Sequence, residues 1–253
     1  MRAASLQSVD QPITVVCVHD DPAYLDALGT AFDGSDDLRM ILDTDPATAL
    51  DRLGDAAAVV CPVDLQTTAE TTVFEAVRQR DPTLPVLFTV SPDLSEVDDA
   101  LFDADGTEFH SGTADSPQIR LFERRLRALV ARARLERRVG QFRTALDLGR
   151  DPTLVVDGDG TIAYANQALS SAVTTDRASL VGREWTDIFT AESVRHLRVD
   201  AFPVAEDGWT WTGCAVLTTD TGEVEARTSL VRLSDRSVVF VVHGLSSSEE
   251  TRE

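Results

Sequence analysis

The sequence predicts two folded parts of different class that are joined by one long helix. Over residues 13–115, short apolar runs alternate with helical stretches, a pattern typical of an α/β fold. Over residues 150–246, turn residues separate segments of strand character, which indicates an α+β fold with an antiparallel sheet. Between them, apolar residues at three- and four-residue spacing predict a helix over residues 116–149. A chain of 253 residues has room for both domains.

Apolar runs with helical stretches between them predict the strands of the first part. Nearly continuous hydrophobicity is typical of parallel strands that are covered on both faces. Asp21 with Pro22, and Asp45 with Pro46, each combine an N-cap residue with a proline at the first helical position. The alternation predicts a flavodoxin-like, doubly wound parallel sheet, whose working crevice lies at the carboxyl ends of the strands. The predicted strands are residues 13–18, 38–42, 56–61, 85–90 and 107–110.

Two apolar stripes of different phase run along the predicted helix, and Gly140 lies beside the change of phase. The first stripe suits the last helix of the α/β part, whereas the second stripe needs another partner. Gly149 and Pro152 supply the stop signals. The first stripe comprises Ile119, Phe122, Leu126, Leu129 and Ala133, and the second comprises Leu135, Val139, Phe142 and Leu146.

The second stripe predicts a homodimer through roughly residues 135–148, with the surface of the following domain sharing in the contact. Arginines lie opposite the first stripe, and they are interpreted as a solvated face rather than a nucleic-acid site. The reason is that a net charge of −20 repels a polyanion. These arginines are Arg120, Arg124, Arg127, Arg134 and Arg138.

Composition narrows the class of protein further. The chain has 43 acidic and 23 basic residues, and every basic residue is an arginine. An acid-rich surface without lysine is typical of proteins that stay soluble at high salt, as in haloarchaea. Cys17, Cys61 and Cys214 stand singly within apolar runs, which indicates buried thiols in a reducing compartment. Since no run approaches the ~18 apolar residues of a membrane helix, we expect a soluble cytoplasmic protein.

Segments at the ends of the predicted parallel strands resemble the response-regulator receiver family. They are residues 15–22, 59–64, 84–89 and 107–112. In that family an acidic pair after the first strand holds Mg²⁺, and an aspartate at the end of the third strand accepts a phosphoryl group. A threonine or serine and a lysine then contact the phosphoryl oxygens. The resemblance therefore implies a site of hard oxygen ligands, a carboxylate nucleophile and a cation.

This set is broken in the present sequence. Pro62 stands where the family has its phosphorylated aspartate, and proline has no nucleophile. The acidic pair maps to His19 and Asp20, or to Asp20 and Asp21 if the register shifts.

The other two site positions are also only partly kept. Thr89 is retained, whereas Ser111 lies near the lysine position of a chain without lysine. Asp64 is either a substitute acceptor or an ordinary loop residue or helix cap. The resemblance thus implies a pseudo-receiver that keeps the fold but has lost aspartyl phosphorylation, and we expect no bound metal.

In the second part, residues 153–157 and 161–165 predict a hairpin around the turn 157–160, and Asn166 is a predicted N-cap. Two short helical pieces and three further strands complete a predicted five-stranded antiparallel sheet with helices on one face. The helical pieces are residues 180–189 and 191–198, and the strands are 209–218, 222–233 and 237–243, with a turn at 220–222.

Residues 157–166, 180–189, 211–213 and 221–224 resemble the PAS family of sensor domains. The usual closing Asp-Ile-Thr is replaced by Gly244, Leu245 and Ser246, so the chain lacks the aspartate that helps to couple the sheet to an output helix in that family. The helix motif of flavin photosensors, which carries a cysteine, is absent, and Cys214 falls in a strand. His196 matches the place of a haem ligand in some relatives, but its charged surroundings favour an exposed residue. Since Trp185, Phe189, Trp209 and Trp211 are interpreted as core aromatics, we expect no cofactor.

No nucleophile–base pair, metal cluster or phosphate-binding glycine loop is evident, so we predict a protein that is not an enzyme. The resemblances imply a signal-transduction regulator of the two-component type, with a sensor kinase or a transcription regulator as partner. Its domains are expected at residues 13–115 and 150–246, with the connecting helix at 116–149. The alternatives are a response regulator phosphorylated at an unusual aspartate, a haem or flavin sensor, and a DNA-binding regulator.

Overall fold

The computed structural model of the chain describes residues 12–68, 70–90, 97–111, 116–219 and 222–244. The chain divides into two compact units, Met1–Arg138 and Val139–Glu253. None of the helices in the described ranges combines the length and hydropathy of a bilayer-spanning segment.

The first unit is built on a five-stranded parallel sheet with the strand order β2-β1-β3-β6-β7. The strands are β1 (Ile13–Val18), β2 (Leu38–Asp43), β3 (Ala58–Pro62), β6 (Val86–Val90) and β7 (Thr107–Ser111). Apolar residues of β1, β3 and β6 are buried because both faces of the sheet are covered. The predicted flavodoxin-like sheet is thereby confirmed. A short hairpin, β4 (Gln66–Thr68) with β5 (Thr71–Thr72), was not predicted.

The helices of the first unit begin where local capping signals place them. Asp21 and Asp45 accept hydrogen bonds from the backbone N–H groups of Ala23 and Thr48, as predicted for N-caps. Thr72 and Glu75 form a capping box at the start of α3. The helices are α1 (Pro22–Phe32), α2 (Pro46–Asp51), α3 (Val73–Arg80) and α4 (Asp99–Phe102), with a 3₁₀ turn at Leu53–Asp55.

The long helix α5 (Ser116–Leu148) runs through Gly140 without interruption. Its first apolar stripe lies in the core of the first unit, where Phe122 and Leu126 are 1% and 0% exposed. Burying each such side chain contributes about 1.5–3 kcal/mol. The guanidinium of Arg127 binds Asp37 at 2.8 Å, and Arg125 donates to the carbonyl of Phe109. The first half of α5 therefore packs within the α/β unit.

The second unit is a five-stranded antiparallel sheet with the strand order β10-β11-β12-β8-β9. The strands are β8 (Thr153–Val156), β9 (Ile162–Ala165), β10 (Trp211–Thr219), β11 (Gly222–Arg232) and β12 (Val238–His243). The helices are α6 (Gln167–Ala172), α7 (Arg177–Leu180), α8 (Ala191–His196) and α9 (Phe202–Glu206). Their apolar residues pack on one face of the sheet, around the rings of Trp185, Phe189, Phe202 and Phe240. This confirms the predicted α+β architecture.

Two predicted helical pieces differ from the structure. In place of one helix over 180–189, α7 ends at Leu180 and a 3₁₀ turn covers Trp185–Ile188. Gly182 between them has φ +85°, and its N–H donates to the carbonyl of Ile162 in β9. The N–H of Ile162 donates in turn to the carbonyl of Arg183, so this segment pairs with a strand. Beyond α8, a π-helical turn at Leu197–Ala201 leads into α9, whose second residue is a proline. The predicted turn at 220–222 lies outside the described residues except for Gly222, and so do Leu245 and Ser246.

Candidate functional site

The carboxyl ends of three parallel strands place Pro62, Thr89 and His110 side by side in the first unit. Pro62 of β3 is level with Thr89 of β6, and Thr89 is level with His110 of β7. Residues at the same level in neighbouring parallel strands point to the same face. That face is the one packed by α1 and α5, because the ring of His110 lies edge-on to Phe122 with centroids 5.3 Å apart.

The residue of β7 that lies level with Thr89 in this row is therefore His110. Ser111 is level with Val90 and is exposed, whereas His110 is 2% exposed. Sequence reasoning missed His110 because the choice between two adjacent residues depends on strand register. The burial pattern along β7 gives no such signal, because Glu108 lies on the same face as His110 and is exposed, so only the pairing of β7 with β6 identifies His110.

Two polar atoms of this row are buried without a partner. Neither Thr89 Oγ1 nor His110 Nδ1 has a hydrogen-bond partner within the described part of the chain. Burial lowers the pKa of His110, and the nearby charge of Arg125 lowers it further. The imidazole is consequently neutral at pH 7, so it does not supply the fixed cation that phosphoryl transfer uses.

The other predicted site residues gather at the end of β1. His19 Nδ1 accepts a hydrogen bond from the backbone N–H of Asp21 at 2.9 Å and lies 3.2 Å from Asp20 Oδ1. Its ring stacks on Tyr24 with centroids 4.4 Å apart. Burial lowers the pKa of His19, and this effect outweighs the opposing influence of Asp20, Asp21 and Asp64.

The carboxylates near His19 either accept a hydrogen bond at the start of α1 or are exposed to solvent. The side chain of Asp21 caps α1, Asp20 is 75% exposed, and Asp64 is exposed in the turn after β3. Among the described residues, no three His, Cys, Asp or Glu side chains are arranged to hold a metal ion. The structure thus brings together an acidic group around His19 and a separate row at Pro62, Thr89 and His110.

The second half of α5 exposes an apolar surface, here called the exposed stripe: Leu135, Val139, Phe142 and Leu146. These side chains are 63%, 44%, 66% and 41% exposed. Large apolar residues aligned on one helix face are characteristic of an interaction surface, whereas isolated ones are not. The exposed stripe covers the last three turns of α5 before the second unit's sheet begins.

The end of α5 is held to the sheet of the second unit by Asn166, which is 1% exposed. Its Oδ1 accepts from the backbone N–H groups of Thr153 and Leu169, both at 2.9 Å. Its Nδ2 donates to the carbonyls of Leu146 and Asp151, both at 3.0 Å. One side chain therefore joins α5, β8 and α6, beyond its predicted role as the N-cap of α6.

A second contact reinforces this attachment through Asp147. Its carboxylate accepts a hydrogen bond from the hydroxyl of Tyr164 at 2.8 Å and pairs with Arg177 at 2.9 Å. Partial burial, with the adjacent Asp147 charge, raises the pKa of Tyr164 to about 12. The tyrosine therefore remains a hydrogen-bond donor throughout the neutral range.

His196, the weak haem-ligand candidate, lies on the surface of α8. Its side chain is 46% exposed, and its Nδ1 is 2.8 Å from Asp200 Oδ2. Trp185 and Phe189 are buried as predicted, and Trp211 packs against the core, whereas Trp209 is 71% exposed. The prediction that Trp209 is a core residue was therefore wrong, because β10 begins two residues later.

The sequence model of the family described as PAS fold matches residues 146–250. A similar solved structure is a domain of the sensory box sensor histidine kinase/response regulator from Geobacter sulfurreducens. The two are 17% identical in sequence, and the similarity covers 44% of this chain and 96% of that chain, with a TM-score of 0.37. The PAS domain of an HTR-like protein from Haloarcula marismortui is 19% identical, covering 44% of this chain and 95% of that chain, with TM-score 0.34. No curated protein matches. The family match and the strand topology assign the PAS fold to the second unit.

Proposed function

We propose that this chain is a non-enzymatic signal-transduction regulator of the two-component type. Two copies pair through the connecting helix that enters the PAS domain, and the first unit is a pseudo-receiver that docks other signalling proteins. The observation that carries this proposal is the exposed stripe on α5, which leads directly into a domain of the PAS fold. An apolar face of this size in water favours association with another surface.

The site geometry supports the pseudo-receiver. Pro62 occupies the strand end level with Thr89, and it has neither a nucleophilic oxygen nor an N–H group. The third member of the row is His110, a buried neutral imidazole. The row has no carboxylate to accept a phosphoryl group, and the nearby cation, Arg125, donates to the carbonyl of Phe109, so the site lacks the chemistry of aspartyl phosphorylation. The unit then acts by shape, with a sensor kinase or a transcription regulator as its partner.

Composition supports the proposed setting. A net charge of −20 without any lysine favours a soluble, cytoplasmic protein that is adapted to high salt. In this setting salt screens the repulsion between like-charged surfaces, which allows two acidic chains to pair.

Sedimentation of three proteins tests the pairing. The unmodified chain should be a dimer at roughly tens of micromolar, a concentration at which even a weak helix pair with Kd near 1 μM is formed. Val139→Glu with Phe142→Glu should give a monomer in which both units remain folded, since both side chains are exposed in the single chain. Gln141→Glu with Thr144→Glu is the matched control, because it adds the same charge on the same exposed helix but off the stripe.

The control should remain dimeric. Circular dichroism of all three proteins establishes that their folded content is equal. If the unmodified chain sediments as a monomer, the proposed pairing fails, and the exposed stripe has to be covered in another way.

A further inference from the structure

We propose that the two copies pair in antiparallel orientation along residues 132–148, so that each helix end meets the beginning of the other. This inference rests on the proposed function, because it specifies how the second copy covers the exposed stripe. Leu135, Val139, Phe142 and Leu146 are spaced by four, three and four residues, which is the d-a-d-a pattern of a two-stranded helix pair. Their flanking charges then decide between the two possible orientations.

A parallel pair brings like charges together. In that orientation each residue of the stripe meets its own copy, and a flanking g residue faces the e residue five positions later on the second helix. Arg138 would face Arg143 of the second copy, and by symmetry this repulsive contact would occur twice. Arg132 lies one heptad before Val139 and so occupies the same position facing the second helix. It would therefore meet Arg132 of the second copy within the helix–helix contact, here called the seam. Like charges at such positions destabilise the pair.

An antiparallel pair relieves each of these contacts. In that orientation Leu135 meets Leu146 of the second copy, and Val139 meets Phe142. Residues at e positions face each other, which places Glu136 beside Arg143 of the second copy, an attractive contact that occurs twice.

The remaining neighbours are also compatible with antiparallel pairing. Arg138 then faces the small Ala145, and Arg132 is level with Gly149, beyond the last residue of α5. Pairing a β-branched valine with a phenylalanine in each central layer also mixes small and large side chains, which fills a helix seam more evenly than a layer of two phenylalanines. In the single chain Glu136 binds Arg132 at 2.9 Å, so its side chain lies along the same surface as the seam.

Cysteine cross-linking distinguishes the two orientations. Leu135 and Leu146 are 11 residues apart, which is about 16.5 Å along a helix and too far for a disulfide. In a background with Cys214→Ser, which removes the exposed thiol and leaves Cys17 and Cys61 buried, two single variants are made: Leu135→Cys and Leu146→Cys. Mild oxidation of the mixed variants should give cross-linked dimers at least tenfold faster than oxidation of either variant alone.

A charge variant provides a second readout that does not depend on thiol chemistry. Arg143→Glu should weaken the dimer if the pair is antiparallel, because the new carboxylate faces Glu136 of the second copy. It should strengthen the dimer if the pair is parallel, because the carboxylate then faces Arg138. Glu136→Arg combined with Arg143→Glu should restore the original affinity only in the antiparallel pair.

The outcomes separate this inference from the proposed function. Rapid cross-linking of Leu135→Cys alone, or tighter association of Arg143→Glu, would overturn the antiparallel orientation while the homodimer stands. A dimer that cross-links in none of the three samples would place the contact outside the exposed stripe and would also overturn it. If the unmodified chain sediments as a monomer, the proposed homodimer is overturned as well.

Discussion

Replacing Asn166 with aspartate is expected to destabilise the second unit by about 3 kcal/mol and to leave the first unit unchanged. The substitution keeps Oδ1, which accepts from the N–H groups of Thr153 and Leu169. It replaces the Nδ2 donor by an oxygen that faces the carbonyl oxygens of Leu146 and Asp151. In the unmodified chain each of these oxygens lies 3.0 Å from Nδ2. The size of the side chain is conserved, so the substitution creates no cavity.

The magnitude follows from the two lost hydrogen bonds and the burial of the side chain. Each hydrogen bond contributes about 1 kcal/mol, and the two carbonyls lose their partner in a site where Asn166 is 1% exposed. Holding a carboxyl group there, or protonating it, costs about 1 kcal/mol or more beyond that. For a unit of this length, about 3 kcal/mol corresponds to a fall in Tm of roughly 12–24 °C.

Tryptophan fluorescence in urea measures this effect selectively. Trp185, Trp209 and Trp211 all lie in the second unit, so the signal reports the unfolding of that unit alone. The matched control is Gln167→Glu, which makes the same amide-to-carboxylate change one residue later, at an exposed position in the first turn of α6. If the two variants unfold at the same urea concentration, the two hydrogen bonds that Asn166 Nδ2 donates do not stabilise the attachment of α5 to the sheet.

Three further results are expected. Small phosphodonors with Mg²⁺ should leave the protein unmodified, because Pro62 has no nucleophile; a labile phosphoryl adduct on Asp20, Asp21 or Asp64 in intact-mass spectra would contradict this. The Tm should be higher in molar KCl than at low ionic strength, because salt screens the repulsion within a chain of net charge −20, and an unchanged Tm would argue against salt adaptation. Below about pH 6.5 the first unit should lose stability, because the pKa of His110 is lower in the folded than in the unfolded chain, so the unfolded chain takes up the proton first. Calorimetry should show that the stability of the His110→Phe variant depends less on pH, although the variant retains the lowered pKa of His19. The slopes of unfolding free energy against pH should differ by up to about 1.4 kcal/mol per pH unit. Identical slopes would exclude His110 as the source.

Elements that depend on local chemistry were predicted closely from the sequence. Asp21 and Asp45 fix the starts of α1 and α2 because a capping side chain and a proline act within three residues of each other. The apolar runs of β1, β3 and β6 identify buried parallel strands because only strands covered on both faces carry no polar alternation. The resemblance of the second unit to the PAS fold rests on several short motifs spread over its length, and the family model matches residues 146–250.

Features that depend on contacts between distant residues could not be predicted in this way. Residues 181–184 have helix-compatible composition, but Gly182 and Arg183 bind the backbone of Ile162, about 20 residues earlier. The same limit applies to the site, since only the pairing of β6 with β7 decides that His110 lies beside Thr89. The attachment of α5 by Asn166 likewise joins residues whose sequence separation hides their proximity.

Gly140 has a consequence for the way in which the chain unfolds. A glycine inside a helix costs about 1 kcal/mol relative to alanine, and a Cβ at this position would meet no atom within 4 Å, so packing does not require it. It lies two residues beyond Arg138, where the first unit ends. The helix is therefore easiest to open close to the boundary between the two units. An alanine at this position should therefore stabilise α5 by about 1 kcal/mol at the point where one unit gives way to the next.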